Sequence, residues 1–199
     1  ERLCHLVSLG RAKIAAALEL TAPFVPMLFQ GEEWAASSPF QYFTDHDKEL
    51  GKLISEGRNK EFAAFGWDPG EIPDPQAPAT FERSKLNWDE RAQPPHSEML
   101  AWYRQLIALR KSLPQLTDGD LSQVRVHANE QDQTLVMERG RCTVAFSLAA
   151  KPVTLAVRAG SQIVLASSPE AALHQDRLTL PPDSIAVLLC GEIPPGIVQ

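Results

Sequence analysis

The spacing of apolar positions divides the chain into four unlike stretches. Over residues 1–21, Leu3, Val7, Gly10, Ile14, Ala17 and Leu18 recur at helical spacing. This predicts one amphipathic helix whose weakest point is Gly10. Pro23 closes it, because proline offers no N–H to a further turn. Phe24–Phe29 is a short apolar run between turn-prone residues. It is too short for a buried helix and is expected as a strand buried on both faces. Helix, short break and buried strand form the rhythm of an α/β protein with parallel strands, whose ligands sit beyond the carboxyl ends of the strands. Gln30, Gly31, Glu32, Glu33 and Trp34 occupy that end.

Residues 35–95 follow no simple period. They hold Pro39, Pro69, Pro73, Pro75, Pro78, Pro94 and Pro95, together with Phe40, Tyr42, Phe43, Phe62, Phe65, Trp67, Phe81 and Trp88. So many large rings argue for an ordered loop packed over the strand end, not for disorder. A short helix is expected at Glu56–Phe65, stopped by Gly66. Ser97–Leu113 is the clearest helix. Ser97 stands as its N-cap, Met99, Trp102, Leu106, Leu109 and Leu113 form its apolar stripe, and its basic residues gather where the helix dipole favours them.

After Thr117 the period changes to two. Gln123–His127, Gln133–Glu138, Cys142–Leu148, Val153–Val157, Gln162–Ala166, Arg177–Leu180 and Ser184–Cys190 read as strands separated by turn signals. The expected fold class is α/β followed by all-β, with the second part, residues 118–199, a small antiparallel β-sandwich. The boundary falls near residues 117–121.

Composition narrows the function classes. The chain has 199 residues, 44% of them hydrophobic, and a net charge of −6. Residues 1–117 carry 13 basic and 16 acidic side chains, and residues 118–199 carry 6 and 9. No basic cluster is present that would neutralise phosphates, so neither nucleic acid nor an anionic membrane surface is an expected partner. Cys4, Cys142 and Cys190 are far apart and match no zinc spacing. They are expected as buried thiols in a reducing, cytoplasmic compartment. No apolar run approaches the length of a membrane span. The first residue is Glu, and the chain is expected to start inside a longer protein.

The chemistry-bearing residues lie beside Phe29. Glu32 and Glu33 are paired carboxylates, the residue type that glycoside hydrolysis uses. Neighbours on a strand point to opposite faces, however, so the preferred reading is that one holds a loop while the other faces outward, with substrate contact the alternative. Asp45, His46 and Asp47 are either turn formers and helix caps or sugar contacts. Trp34, Phe40, Tyr42 and Phe43 offer flat apolar faces for a pyranose ring, or core packing under the loop. No phosphate-binding loop, dinucleotide glycine pattern, nucleophile elbow or zinc-peptidase motif occurs.

Residues 1–62, ERLCHLVSLGRAKIAAALELTAPFVPMLFQGEEWAASSPFQYFTDHDKELGKLISEGRNKEF, resemble the distal part of the maltooligosyltrehalose trehalohydrolases. These are α-amylase-type (β/α)8 barrel hydrolases. Pro73–Glu90 is also similar to that family, and the likeness extends to about residue 113. The resemblance implies that residues 1–117 are the C-terminal portion of the barrel. Pro23–Phe29 would be its eighth strand, and 1–21 and 97–113 its seventh and eighth helices. It implies release of trehalose by hydrolysis of the α-1,4 bond beside the trehalose end of maltooligosyltrehalose, with no metal or organic cofactor. It also implies that the nucleophilic Asp, the acid/base Glu and a third Asp lie on earlier strands. No residue of this chain matches those positions, so no catalytic residue is carried over and the isolated chain is expected to be inactive. Gly31 and Glu33 resemble the family's Gly-x-Glu element. The expected substrate contacts are Glu33, Trp34, Phe40, Tyr42, Phe43, Asp45 and His46, facing a maltooligosaccharide-type substrate. Self-association through the cut barrel face is expected. The rival readings are a non-catalytic carbohydrate-binding or interaction module and another α-glucan enzyme, branching or debranching.

Overall fold

The computed structural model describes residues 1–199 except 67, 69–71, 195–196 and 198–199. Trp67 and Pro69, two of the rings and prolines counted in the long loop, therefore lie outside the described residues. The first expected helix is two helices, α1 (Leu3–Leu6) and α2 (Leu9–Thr21). The break falls at Val7 and Ser8, not at Gly10. Val7 is extended, and the Ser8 hydroxyl caps α2 by accepting from the Arg11 N–H at 3.2 Å. Gly10 stays helical and serves close packing. A Cβ placed there would stand 2.4 Å from the Asp183 carbonyl oxygen.

Phe24–Phe29 corrects the sequence reading. It forms no strand and no ladder among the described residues. Phe24 is 64% exposed, Val25 91% and Met27 84%. A strand exists only where a neighbour supplies the ladder's partners, and none lies alongside this run. The parallel-strand expectation for residues 1–117 thus has no counterpart among the described strand pairs, all of which are antiparallel.

The long loop carries more helix than its sequence pattern shows. α3 spans Lys48–Ala63, and α4 spans Pro78–Ser84. The Asp47 carboxylate caps α3, accepting at 3.0 Å from the N–H groups of Glu49 and Leu50, and these bonds hold its pKa below the usual range. α5 (His96–Ser112) buries Met99, Trp102, Tyr103, Leu106 and Leu109, and Leu113 is buried just past its end. Ser97 is not its N-cap. The helix begins at His96, and Pro95 stands in the cap position without a side-chain bond. α6 (Pro114–Thr117) follows.

Among the described residues the β region has eight strands: β1 (Val124–Asn129), β2 (Thr134–Arg139), β3 (Cys142–Ser147), β4 (Val153–Ala156), β5 (Ser161–Ala166), β6 (Ala172–His174), β7 (Arg177–Leu180) and β8 (Ser184–Cys190). Seven match expected runs to within two residues. β6 is the one unforeseen, because three residues show no period. A five-stranded sheet in the order β1-β2-β3-β8-β5 lies over a three-stranded one in the order β4-β7-β6.

With alternate side chains pointing to opposite, covered faces, β3 is buried throughout and β8 is buried from Ser184 to Leu189. Ile185, Val187 and Leu189 of β8, with Cys142, Val144 and Phe146 of β3, join the same core as Ala12, Ile14, Trp102 and Leu106 of the helices. Ala186 and Leu188, with Ala145, face Leu178 and Leu180 of the small sheet. The large sheet is therefore the middle layer of three.

Two arginines fasten the helices to this layer. Arg139, on β2 and 2% exposed, donates to the carbonyls of Thr21, Leu116 and Asp118. Arg110, on α5, donates to the carbonyls of Leu20 at 2.7 Å and Phe24 at 2.9 Å. The α2 carbonyls left open at its C-terminus are satisfied in this way. All three cysteines are free thiols. Only Cys142 is fully buried, and burial pushes its pKa to about 12 against the opposing pull of Arg139 and Arg141. Cys4 and Cys190 are half-buried, contrary to expectation. Among the described residues no helix is long and apolar enough to cross a membrane.

Candidate functional site

The turn after Phe29 is built on two left-handed residues. Gly31 has φ 85° and Ala35 has φ 54°, and Glu32–Trp34 between them make one 3-10 turn. Gly31 is also a contact position. A Cβ there would meet Leu86 Cδ2 at 2.6 Å and Ala36 Cβ at 3.0 Å. The family-like Gly-x-Glu element is thus a turn that only glycine fits at its first position.

Three side chains that the sequence reading passed over hold this turn. Arg2, 7% exposed, donates from Nε to Ser38 O at 2.6 Å and from Nη1 to Gln30 O at 2.8 Å, bridging the two ends of the turn. Glu90 Oε1 accepts from Trp34 Nε1 and from the Ser37 N–H, both at 3.0 Å, and Oε2 accepts from the Ser37 hydroxyl at 2.6 Å. Burial would raise the Glu90 carboxyl, but these bonds and the adjacent His96 hold it below the usual carboxylate range. His96 Nδ1 donates to the carbonyls of Trp34 at 3.0 Å and Ala35 at 3.1 Å. Nothing local in the sequence marks Arg2, Glu90 or His96. Their partners are 36, 56 and 62 residues away.

The expected site residues separate into three groups. Trp34 is 2% exposed and packs on Trp88 at 5.2 Å, so it has no open face for a ligand. Glu33 is half-buried, and its Oε2 is buried without a hydrogen-bond partner. The neighbouring Glu32 accepts from the Tyr103 hydroxyl at 3.3 Å. Burial pushes the Tyr103 phenol far above its ordinary value, and the Glu32 and Glu19 carboxylates push it further. Burial and Glu32 likewise raise Glu19. Glu19, Glu32 and Tyr103, but not Glu33, line a cavity of about 310 Å³ with Arg2, Phe29 and Phe40.

Phe40 and Phe43 belong to a row of rings. Phe29 and Phe40 are 5.0 Å apart, Phe40 and Phe43 5.9 Å, and Phe43 and Phe81 5.1 Å, all edge to face. Phe81 was not foreseen as part of a site. Its ring meets the others only through folding of α4 against the loop. Tyr42 stands apart from the row and lies under Arg58 of α3 at 4.4 Å.

Asp45 and His46 are both exposed. The His46 N–H donates to Gln76 Oε1 at 3.2 Å, and its carbonyl accepts from Gln76 Nε2 at 3.0 Å. The Thr44 hydroxyl donates to the same Oε1 at 2.6 Å. Gln76 therefore pins the loop through its backbone and leaves the Asp45 carboxylate without a hydrogen bond among the described residues. A hollow of about 470 Å³ lies here, lined by Phe43, Thr44, Asp45, Gln76 and Phe81.

Three comparisons show what the chain is similar to. Residues 119–187 match the model of a domain of unknown function, DUF3459. Over 94% of the chain, the structure is similar to a Salmonella typhimurium protein provisionally assigned as an alpha amylase, with a TM-score of 0.79, 32% identity and 32% of that protein covered. It shares its fold with the trehalulose synthase of Pseudomonas mesoacidophila MX-45, with a TM-score of 0.59, 20% identity, 90% of this chain and 38% of that one. The described helices and antiparallel sheets thus resemble part of an α-amylase-type structure. More particularly, the chain is a homologue of the malto-oligosyltrehalose trehalohydrolases. It is 42% identical to that of Rhizobium sp. (strain M-11) over 94% of this chain and 32% of the relative, and 43% identical to that of Brevibacterium helvolum over the same shares. The chain spans about a third of the length of these curated relatives.

Proposed function

We propose that the chain is the C-terminal part of an amylase-type glycoside hydrolase. The parent would hydrolyse the α-1,4-glucosidic bond beside the trehalose end of maltooligosyltrehalose and release trehalose. The observation that carries this is an identity of 42–44% with trehalohydrolases of several bacteria over most of the chain. The exposed Phe24–Phe29 run supports the same reading. It is an apolar, exposed segment between α2 and the Glu32–Trp34 turn, and in this reading it would be a last barrel strand whose neighbours the rest of the parent supplies.

In this reading the reacting carboxylates come from the parent's other strands. Amylase-type chemistry proceeds with retention through a glycosyl-enzyme intermediate, between two carboxyl groups about 5–5.5 Å apart. This chain's contribution is a wall of the sugar cleft. The Gly31–Ala36 turn, held by Arg2, Glu90 and His96, fixes where the loop with Phe40 and Phe43 leaves the barrel end. Glu33, Asp45 and His46 are then supports or sugar contacts, and not the groups that react.

The test compares trehalose release from maltooligosyltrehalose by the 199-residue chain and by its full-length parent. The parent is expected to release trehalose and the chain alone none. Release by the chain alone would place the reacting groups within it. A parent that transfers glucan chains or cleaves α-1,6 bonds instead would assign it to the branching or debranching enzymes.

A further inference from the structure

Glu19 and Glu32 are carboxylates from two different elements that face one cavity. Glu19 lies in the last turn of α2, and Glu32 opens the 3-10 turn after Gly31. Both line the 310 Å³ cavity together with Tyr103 of α5. Tyr103 is 5% exposed, and its hydroxyl donates to Glu32 Oε1 at 3.3 Å. The Glu19 side chain is hydrogen-bonded to that of Glu32. Two ionised carboxylates are both acceptors and cannot make that bond, so one proton lies between them.

The surrounding groups leave the pair uncompensated. Glu33 adds a third carboxylate near Tyr103. Arg2, on the same cavity wall, donates instead to the carbonyls of Ser38 and Gln30. Arg110 of α5 donates to the carbonyls of Leu20, Ala22 and Phe24. Glu1 and Cys4 are the other ionisable side chains of the wall. The Met27 N–H favours an ionised Glu19, but burial and Glu32 outweigh it. Among the described residues no ion pair reaches Glu19 or Glu32.

We propose that Glu19 and Glu32 form a pH-operated latch between the end of α2 and the Glu32–Trp34 turn. With one proton shared, the carboxyl of one donates to the carboxylate of the other, and the Tyr103 hydroxyl ties the pair to α5. When that proton leaves to water, two negative charges face each other with one hydroxyl donor, and the link opens. Arg2 and Glu90 still fasten the far side of the turn. The release therefore falls on the end of α2 and on the Phe24–Phe29 segment that follows it. The latch belongs to this chain's own fold and does not depend on the proposed reaction. Folding raises the Glu19 carboxyl. Its stabilising contribution is complete below the ordinary glutamate value of about 4.3 and is lost as pH rises through the raised folded value. That is opposite in sign to Glu90 and Asp183.

The experiment follows thermal unfolding of the 199-residue chain, Glu19→Gln, Glu32→Gln and the double variant from about pH 4 to about pH 8. Glu19→Gln keeps the shape and supplies a permanent N–H donor, so it holds the latch closed. Its thermal midpoint is expected to match that of the native chain near pH 4 and to exceed it by about 2–4 °C near pH 8. In the Glu32→Gln background the same substitution should bring no gain. Hydrogen exchange at the Ala22 N–H, which bonds to the Leu18 carbonyl, should be faster in the native chain than in Glu19→Gln near pH 8 and equal near pH 4. Carbon-13 NMR of the glutamate carboxyls should show a group that titrates above about 4.3 and disappears in Glu19→Gln. A gain that is the same at both pH values, or that survives in Glu32→Gln, would overturn the latch. So would equal exchange at Ala22 throughout, or the absence of a raised glutamate titration.

Discussion

Glu90 concentrates the local physics of the candidate site. One carboxylate satisfies an indole N–H, a backbone N–H and a hydroxyl, and through them it closes the turn on Trp34. Hydrogen bonds to an ionised acceptor are worth about 1.5–3 kcal/mol each when they are lost. Glu90→Gln keeps the shape and removes the charge. It is expected to lower stability by about 2 kcal/mol at neutral pH, measured by urea unfolding. The folded-state pKa of Glu90 lies below its ordinary value of about 4.3. Its contribution is therefore complete above that value and is lost as pH falls through the lower folded value. Asp183 behaves alike, since burial would raise it but the Arg11 and Ser8 hydrogen bonds win. The thermal midpoint should fall steeply below about pH 4, and less steeply in Glu90→Gln. Equal slopes would deny Glu90 this role.

The helices and the large sheet are joined by features that look like weaknesses when each element is read alone. Gly10 is a poor helix former, and Gly10→Ala on an isolated helix would gain about 1 kcal/mol. In this fold the added methyl meets the Asp183 backbone at 2.4 Å. The substitution is expected to cost about 1–3 kcal/mol instead, and a rise in thermal midpoint would refute the close approach. Arg139 is the second joint. Arg139→Met keeps the length of the side chain but leaves the carbonyls of Thr21, Leu116 and Asp118 unpaired. A loss on the order of 3 kcal/mol is expected, and denaturant titration giving less than about 1 kcal/mol would show that water replaces the guanidinium.

At the scale of the whole molecule, an apolar segment of the described residues lies outside both sheets. Phe24–Phe29 exposes its side chains, and an unladdered apolar segment is a template for pairing with another chain. We propose that the 199-residue chain self-associates through this segment, covering it with a second copy. Light scattering should show a mass above that of one chain, rising with concentration. Val25→Lys with Met27→Lys should return it to a monomer, because a buried lysine at such a contact is costly. A monomer at all concentrations would remove the proposal.

The periodicities were sufficient for most of the elements and for the core faces. Met99, Trp102, Leu106 and Leu109 are buried as a 3.6-residue repeat requires, and β7 and β8 begin and end where alternation does. Local chemistry also carried Asp47, whose role as a cap depends only on residues two and three positions on. Beyond that range the pattern along the chain was silent. Phe24–Phe29 is apolar enough for a strand, but a ladder needs a neighbour, and no single segment contains its own. Trp34 and Phe43 look alike as candidate rings. One is enclosed by Glu90 and Trp88, while the other is aligned with Phe81, by contacts that cross 38 to 56 positions. Short-range periodicity is a property of consecutive residues, so it was legible from the start. Which aromatic and acidic side chains meet depends on how α4, α5 and the Gly31 turn pack together, and that arrangement exists only once the chain has closed on itself.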